Sequence, residues 1–188
     1  NPNTIYAGTG DLRFGSWSFG SAGVLKSTDG GNSWRVLGRN VFLPNYPAAQ
    51  TTFSQYQSVG KVVVDPNNSN RVVAGTKTGL YFSYDAGENW TGPCLTNPYG
   101  PASANPHRQD ITGLLAVNQG GVTQLYAAVG TRGSATPVQP DLDFNGANSI
   151  YRVTMPSANC PAGWQRLTRA DNGWPAGIGE GTGFGPVG

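Results

Sequence analysis

An eight-residue pattern, Ser-x-Asp-x-Gly-x-x-Trp, occurs twice in this chain, 56 positions apart: Ser27-Thr28-Asp29-Gly30-Gly31-Asn32-Ser33-Trp34 and Ser83-Tyr84-Asp85-Ala86-Gly87-Glu88-Asn89-Trp90. Each copy follows a short apolar run, Gly23-Val24-Leu25-Lys26 and Gly79-Leu80-Tyr81-Phe82. The pattern predicts a β-hairpin with a fixed turn. An Asp carboxylate accepts the free N–H groups of a tight turn, a Gly supplies positive φ, and a Trp opens the return strand with a large area to bury. In that role Ser27, Asp29, Gly31 and Trp34, and likewise Ser83, Asp85, Gly87 and Trp90, are structural. Two copies at one period imply a repeat architecture.

Aligning the copies recovers further strands. Ile5-Tyr6-Ala7-Gly8-Thr9, Val72-Val73-Ala74-Gly75-Thr76 and Leu125-Tyr126-Ala127-Ala128-Val129-Gly130 are matching apolar runs. The last two follow Val59–Asp65 and Ile111–Val117, with polar turns between. Each unit thus holds four short strands, A to D, with the patterned turn between C and D. The third unit keeps Ser149–Val153 and Gly163–Leu167, but its C–D turn has lost the Asp and grown. Short strands with regular turn signals and almost no helical periodicity predict an all-β fold. Four strands per repeat at this spacing is a propeller blade.

The two patterned turns resemble the Asp-box, or BNR, repeats of sialidases, sortilin-type receptors and xyloglucanase-type glycoside hydrolases, and the resemblance covers residues 1–168. It implies a β-propeller whose Asp boxes lie on the outer rim, away from the ligand-binding face. The expected layout is a single partial propeller: 1–38 a blade lacking strand A, 58–95 a second blade, 110–168 a third, and 169–188 a Gly-rich tail. Closed propellers take four to eight blades. The expectation is therefore a portion of a longer propeller, or copies that assemble edge to edge to hide open strands.

Charged residues are only 12% of the chain and the formal net charge is +2, so clustered Lys and Arg for a nucleic-acid partner are missing. A surface of neutral hydrogen-bonding groups is common in exported proteins, so a secreted or cell-surface location is expected. No apolar run is long enough to span a membrane. Cys94 and Cys160 lack the spacing of a zinc or redox motif. A disulfide suits an exported protein. Against it, the repeat alignment sets the two cysteines near opposite ends of their strands, so the sequence leaves pairing open and leans against it.

In a four-stranded blade the A–B and C–D turns open on one face and the B–C and D–A connections on the other. The long segments, 10–23, 38–58, 91–110 and 130–148, all belong to the second face. Connections longer than about 12 residues are uncommon without a role, so that face is the expected binding surface. Its aromatics include Phe42, and the candidate ligand-binding residues are Trp17, Phe19, Tyr46, Tyr56, Tyr99 and Arg108. Flat rings beside amide and guanidinium donors suit sugars, and they suit a protein surface equally well. Asp141-Leu142-Asp143-Phe144-Asn145-Gly146 opens like a calcium loop, with Asp141, Asp143 and Asn145 as ligands, but position twelve is Arg152 and not a bidentate Glu.

Glycoside hydrolysis needs two carboxylates across a cleft. Asp11, Asp110, Asp141 and Asp143 are the candidates on the long-connection face, with Asp11 and Asp110 put first. Asp11, in Gly8-Thr9-Gly10-Asp11, is similar in placement to the first-blade catalytic Asp of the xyloglucanase-type enzymes, although the Gly-Gly-x-Tyr-Arg segment that follows there is not found here. Sialidase chemistry lacks its opening Arg-Ile-Pro segment, and the two Glu residues fall at Glu88 and Glu180. The leading expectation is an extracellular binding or adhesion module for carbohydrate or protein. The alternatives are a fragment of a glycoside hydrolase, its partners being the remaining blades, and a structural subunit of a cell-surface assembly.

Overall fold

The computed structural model describes residues 2–12, 20–42, 45–46, 55–97, 109–130 and 148–168, with backbone alone at 45–46 and 55–56. Three antiparallel sheets form the body. The first holds β1 (Ile5–Gly8), β2 (Val24–Ser27) and β3 (Arg35–Leu37). A single helical turn, α1 (Arg39–Phe42), and a two-stranded ribbon of β4 (Asn45–Tyr46) and β5 (Gln55–Tyr56) follow. The second sheet is β6 (Val59–Asp65), β7 (Asn68–Thr76), β8 (Gly79–Ser83) and β9 (Thr91–Cys94) in that order. The third repeats it with β10 (Ile111–Gln119), β11 (Val122–Val129), β12 (Ser149–Thr154) and β13 (Gln165–Arg166). Every sheet is an up-and-down meander, so the fold is all-β and of propeller type. No closed ring is seen among the described residues.

The two patterned turns are built alike. Ser27 Oγ donates to Asp29 Oδ1 at 2.7 Å and accepts from Gly31 N at 2.9 Å, while Ser33 N donates to Asp29 Oδ1 at 2.9 Å. Ser83 Oγ, Asp85 Oδ1, Gly87 N and Asn89 N repeat this at 2.8, 2.8 and 2.9 Å. The residue pairs Gly30-Gly31 and Ala86-Gly87 are both left-handed, so Ala86 holds φ 59° without being a glycine. The expected burial of the two Trp rings splits. Trp90 packs into the core, whereas Trp34 is 44% exposed, because it lies on the side of the first blade that no other described blade covers.

Two seams hold the blades together. At the first, Val24, Leu37, Phe42, Val59, Ala74 and Tyr81 form a core flanked by Tyr6, Val62 and Trp90. Phe42, expected on the ligand face, is fully buried there, its ring edge-on to Tyr81 and Trp90 with centroids 5.1 Å away in both cases. The short helix turns it inward. At the second seam Val73, Leu80, Phe82, Ile111, Leu125, Tyr151 and Met155 form the core. Burial of each such side chain contributes roughly 2 kcal/mol.

Glycine sets how closely blades approach. A Cβ on Gly8 would lie 2.1 Å from the Val59 carbonyl oxygen, and one on Gly75 would lie 2.7 Å from Ile111 Cγ2. Val59 and Ile111 open the innermost strands of successive blades, so the same step is made twice.

Cys94 and Cys160 form a disulfide with Cα atoms 5.5 Å apart, which corrects the leaning of the sequence against pairing. Cys160 is not on a strand. It sits in the enlarged connection between β12 and β13, which reaches across the seam toward β9, and Tyr84 Oη donates to the Asn159 carbonyl beside it. A second link lies on the rim, where Asn67 Nδ2 donates to Thr123 Oγ1 at 2.8 Å and Thr123 Oγ1 donates to Asp65 Oδ1.

Candidate functional site

At the ends of the blades that carry the long connections, Thr9 follows β1 and Thr76 ends β7, and each hydroxyl folds back onto the chain. Thr9 Oγ1 donates to the Gly23 carbonyl at 2.6 Å and accepts from Ala22 N at 2.8 Å. Thr76 Oγ1 donates to the Gly79 carbonyl at 2.9 Å and accepts from Thr78 N at 3.0 Å. Each hydroxyl thereby fixes the start of strand C and the direction in which the B–C connection leaves the blade.

Beneath these connections lies a buried polar layer. Gln57 Nε2 donates to Thr78 Oγ1 at 2.7 Å, its Oε1 accepts from Lys77 N at 3.2 Å, and Ser21 N donates to its carbonyl at 2.7 Å. Gln109 N donates to the Lys77 carbonyl at 2.6 Å, and Thr78 and Gln109 form a parallel bridge. Ser58, Lys77, Thr78 and Gln109 are all completely buried. Among the described residues, Ser58 Oγ and both side-chain polar atoms of Gln109 find no hydrogen-bond partner, a costly state for buried amide and hydroxyl groups. Thr78 Oγ1 and Tyr81 Oη lie 3.3 Å apart, and burial first of all pushes the Tyr81 phenol above its ordinary value.

Asp11 follows Gly10, which is left-handed at φ 92°. A Cβ on Gly10 would meet Ser58 Cβ at 2.8 Å, and a Cβ on Gly60 would meet Leu12 Cδ2 at 3.0 Å. The Gly10–Leu12 segment therefore rests on the first residues of β6, and Asp11 stands half-buried at the seam. Asp110 occupies the entry to β10, one blade further on. It is buried, and its carbonyl accepts from Gly130 N at 3.0 Å. Each residue thus sits where one blade hands over to the next, Asp11 directly after the Gly10–Ser58 contact and Asp110 directly after Gln109.

Trp17, Phe19, Tyr99, Arg108, Asp141, Asp143 and Asn145 lie outside the described residues. Tyr46 and Tyr56 are seen in backbone only, within the β4–β5 ribbon, where Tyr46 pairs with Gln55 and Asn45 with Tyr56. Among the described residues no group of three or more His, Cys, Asp or Glu could hold a metal ion, and no helix is long and apolar enough to cross a membrane. Sequence reasoning missed the layer formed by Gln57, Ser58, Lys77, Thr78 and Gln109. The available signal was the aligned Thr9 and Thr76, each ending an apolar run with polar residues after it.

The carboxylates at the opposite end behave differently. Asp29 is fully exposed, yet the hydroxyl and N–H of Ser33 and the hydroxyl of Ser27 hold its carboxyl well below the usual carboxylate range. Burial would raise Asp85, but the N–H and side chain of Asn89 and the Ser83 hydroxyl outweigh it and lower the value. Both are permanent acceptors occupied by their own turns, with no free valence for chemistry.

No protein-family model matches the sequence, and no curated protein matches it. The structure is similar to a crystal structure of an ancestral GH74 enzyme, with a TM-score of 0.50 and 26% identity over 88% of this chain. The chain spans 18% of that enzyme's length. The relationship is that of one propeller to another.

Proposed function

We propose that this chain is a carbohydrate-binding portion of a glycoside-hydrolase-like β-propeller of the Asp-box type, and that it engages a neutral polysaccharide with the face bearing its long connections. The likeness to the ancestral GH74 enzyme carries this reading. It is supported by the placement of Asp11 at a blade seam beside a layer of uncharged hydrogen-bonding groups. Neutral amides and hydroxyls complement sugar hydroxyls, and a single half-buried carboxylate there suits a hydroxyl rim or a glycosidic oxygen. Hydrolysis needs a second carboxylate facing Asp11, and on this reading a further blade supplies it. Export accords with the Cys94–Cys160 disulfide, a bond that persists in oxidising compartments.

Native gel retardation in soluble xyloglucan, with polygalacturonate as the anionic control, tests the proposal. Retardation by the neutral polymer, weakened in Asp11→Asn, is the expected result. Migration unchanged by xyloglucan, or retarded equally by both polymers, would overturn it.

A further inference from the structure

Tyr6, Lys26 and Arg35 form one cross-strand row on the side of the first blade that meets the second. Tyr6 Oη and Lys26 Nζ both donate to the Ala86 carbonyl, at 2.9 and 2.7 Å. Arg35 Nη1 donates to Glu88 Oε2 at 2.9 Å, and Lys26 Nζ stands 3.8 Å from Glu88 Oε1. The row therefore grips the next blade's C–D turn by the carbonyl of its left-handed residue and by a carboxylate two places on.

The corresponding row of the second blade is Val73, Phe82 and Thr91. It has no cation, and the turn it meets has no Asp box; Met155, at the start of that turn, packs into the same core as Phe82. The carbonyl of a left-handed residue is still taken up there, since Asn159 has φ 60° and accepts from Tyr84 Oη.

In the third blade the same row is Tyr126, Arg152 and Gln165, flanked by Leu115. The polar type returns, with a tyrosine and a cation at the places of Tyr6 and Lys26. This row faces the side of the blade that no described residue covers. Leu115 is 56% exposed and Ile150 40%, although Val63 and Leu80, at the equivalent places in the second blade, belong to the second seam. Arg152 and Gln165 line a cavity of about 560 Å³ together with Gln124, Thr154 and Pro161. Arg152 Nη2 donates to Gln165 Oε1 at 2.5 Å, and among the described residues no carboxylate forms an ion pair with Arg152. Tyr126 Oη accepts from Gln119 Nε2 at 3.1 Å, which leaves its own proton to donate.

We infer that the Tyr126–Arg152–Gln165 row is the receptor for a further blade of the same repeat, which docks an Asp-box turn carrying a carboxylate two residues after its left-handed residue. Tyr126 takes the turn carbonyl, Arg152 takes the carboxylate, and Leu115 and Ile150 receive the blade's apolar side. The inference rests on the repeat and not on the carbohydrate reading.

The test titrates a peptide with the sequence Ser83–Trp90, flanked by two added cysteines and cyclised through their disulfide, into the isotope-labelled full chain, followed by NMR. Saturable shifts at Tyr126, Arg152 and Gln165 are expected, with a dissociation constant on the order of 1 mM. A peptide with Gln in place of the Glu88 equivalent should bind about threefold more weakly, the scale of one exposed ion pair. Arg152→Glu should remove the shifts while leaving the circular dichroism spectrum unchanged. Saturable shifts confined to other blades, no saturable shift, or equal binding of the two peptides would overturn the inference. A concentration-dependent dimer in sedimentation velocity, lost in Arg152→Glu, would also overturn it by giving the surface to a second copy of this chain.

Discussion

The two seams solve the same problem by different means. At the first, a patterned turn satisfies its own N–H groups and arrives as a finished object, which the preceding blade holds through Tyr6, Lys26 and Arg35. At the second, the turn lacks the Ser-x-Asp-x-Gly-x-x-Trp pattern, and a disulfide and a tyrosine hold it from outside. A turn with internal order needs only weak surface contacts to seat it. One without internal order takes its conformation from its neighbour, and the neighbour must then bind it strongly.

The largest effect should come from breaking the second seam. Cys94→Ala with Cys160→Ala removes a link spanning 66 residues, a loss of about 4 kcal/mol on loop-closure grounds. Urea unfolding should show it, with the Tyr84 contact unable to hold the turn in place. If the double variant unfolds at the midpoint of the parent, the turn is not held from outside and the contrast fails.

Gly8→Ala should follow, at about 2 kcal/mol, because the new methyl meets the backbone carbonyl of Val59, which has no room to move. Gly75→Ala should cost less, since its nearest contact is a side-chain carbon of Ile111 at 2.7 Å and not a backbone oxygen at 2.1 Å. Equal losses in thermal melts would mean that the two seams yield alike.

Removing the turn carboxylate in Asp85→Ala should cost about 1 kcal/mol and raise hydrogen exchange at Gly87 and Asn89. The folded-state values of Asp29, Asp85 and Glu88 all lie below their ordinary ones. Their stabilisation is therefore complete above the unfolded carboxylate values, near pH 4, and is lost as the pH falls through the depressed ones. Acid titration of the parent and of Asp85→Ala should converge below pH 4. Smallest is Glu88→Gln, at most about 0.5 kcal/mol, an effect that moderate salt should erase.

The architecture was legible because the two patterned turns are local: Ser27 to Trp34 and Ser83 to Trp90 contain both partners of each decisive hydrogen bond, so spacing alone reveals them. Strand order followed from aligning Ile5, Val72 and Leu125. Cys94–Cys160 was not legible, because strand ends were used to place a cysteine that lies in a connection, and the course of that connection is set by the adjoining blade. Phe42 was misplaced for a related reason. Its four-residue helix is too short to show periodicity, and the rings it packs edge-on against, Tyr81 and Trp90, lie about 40 to 50 residues on. The layer around Gln57 and Gln109 joins segments of three blades, so no single stretch of sequence displays it.

The disulfide also decides what a protease can accomplish. Any single cut between Cys94 and Cys160 leaves both products covalently joined until the bond is reduced.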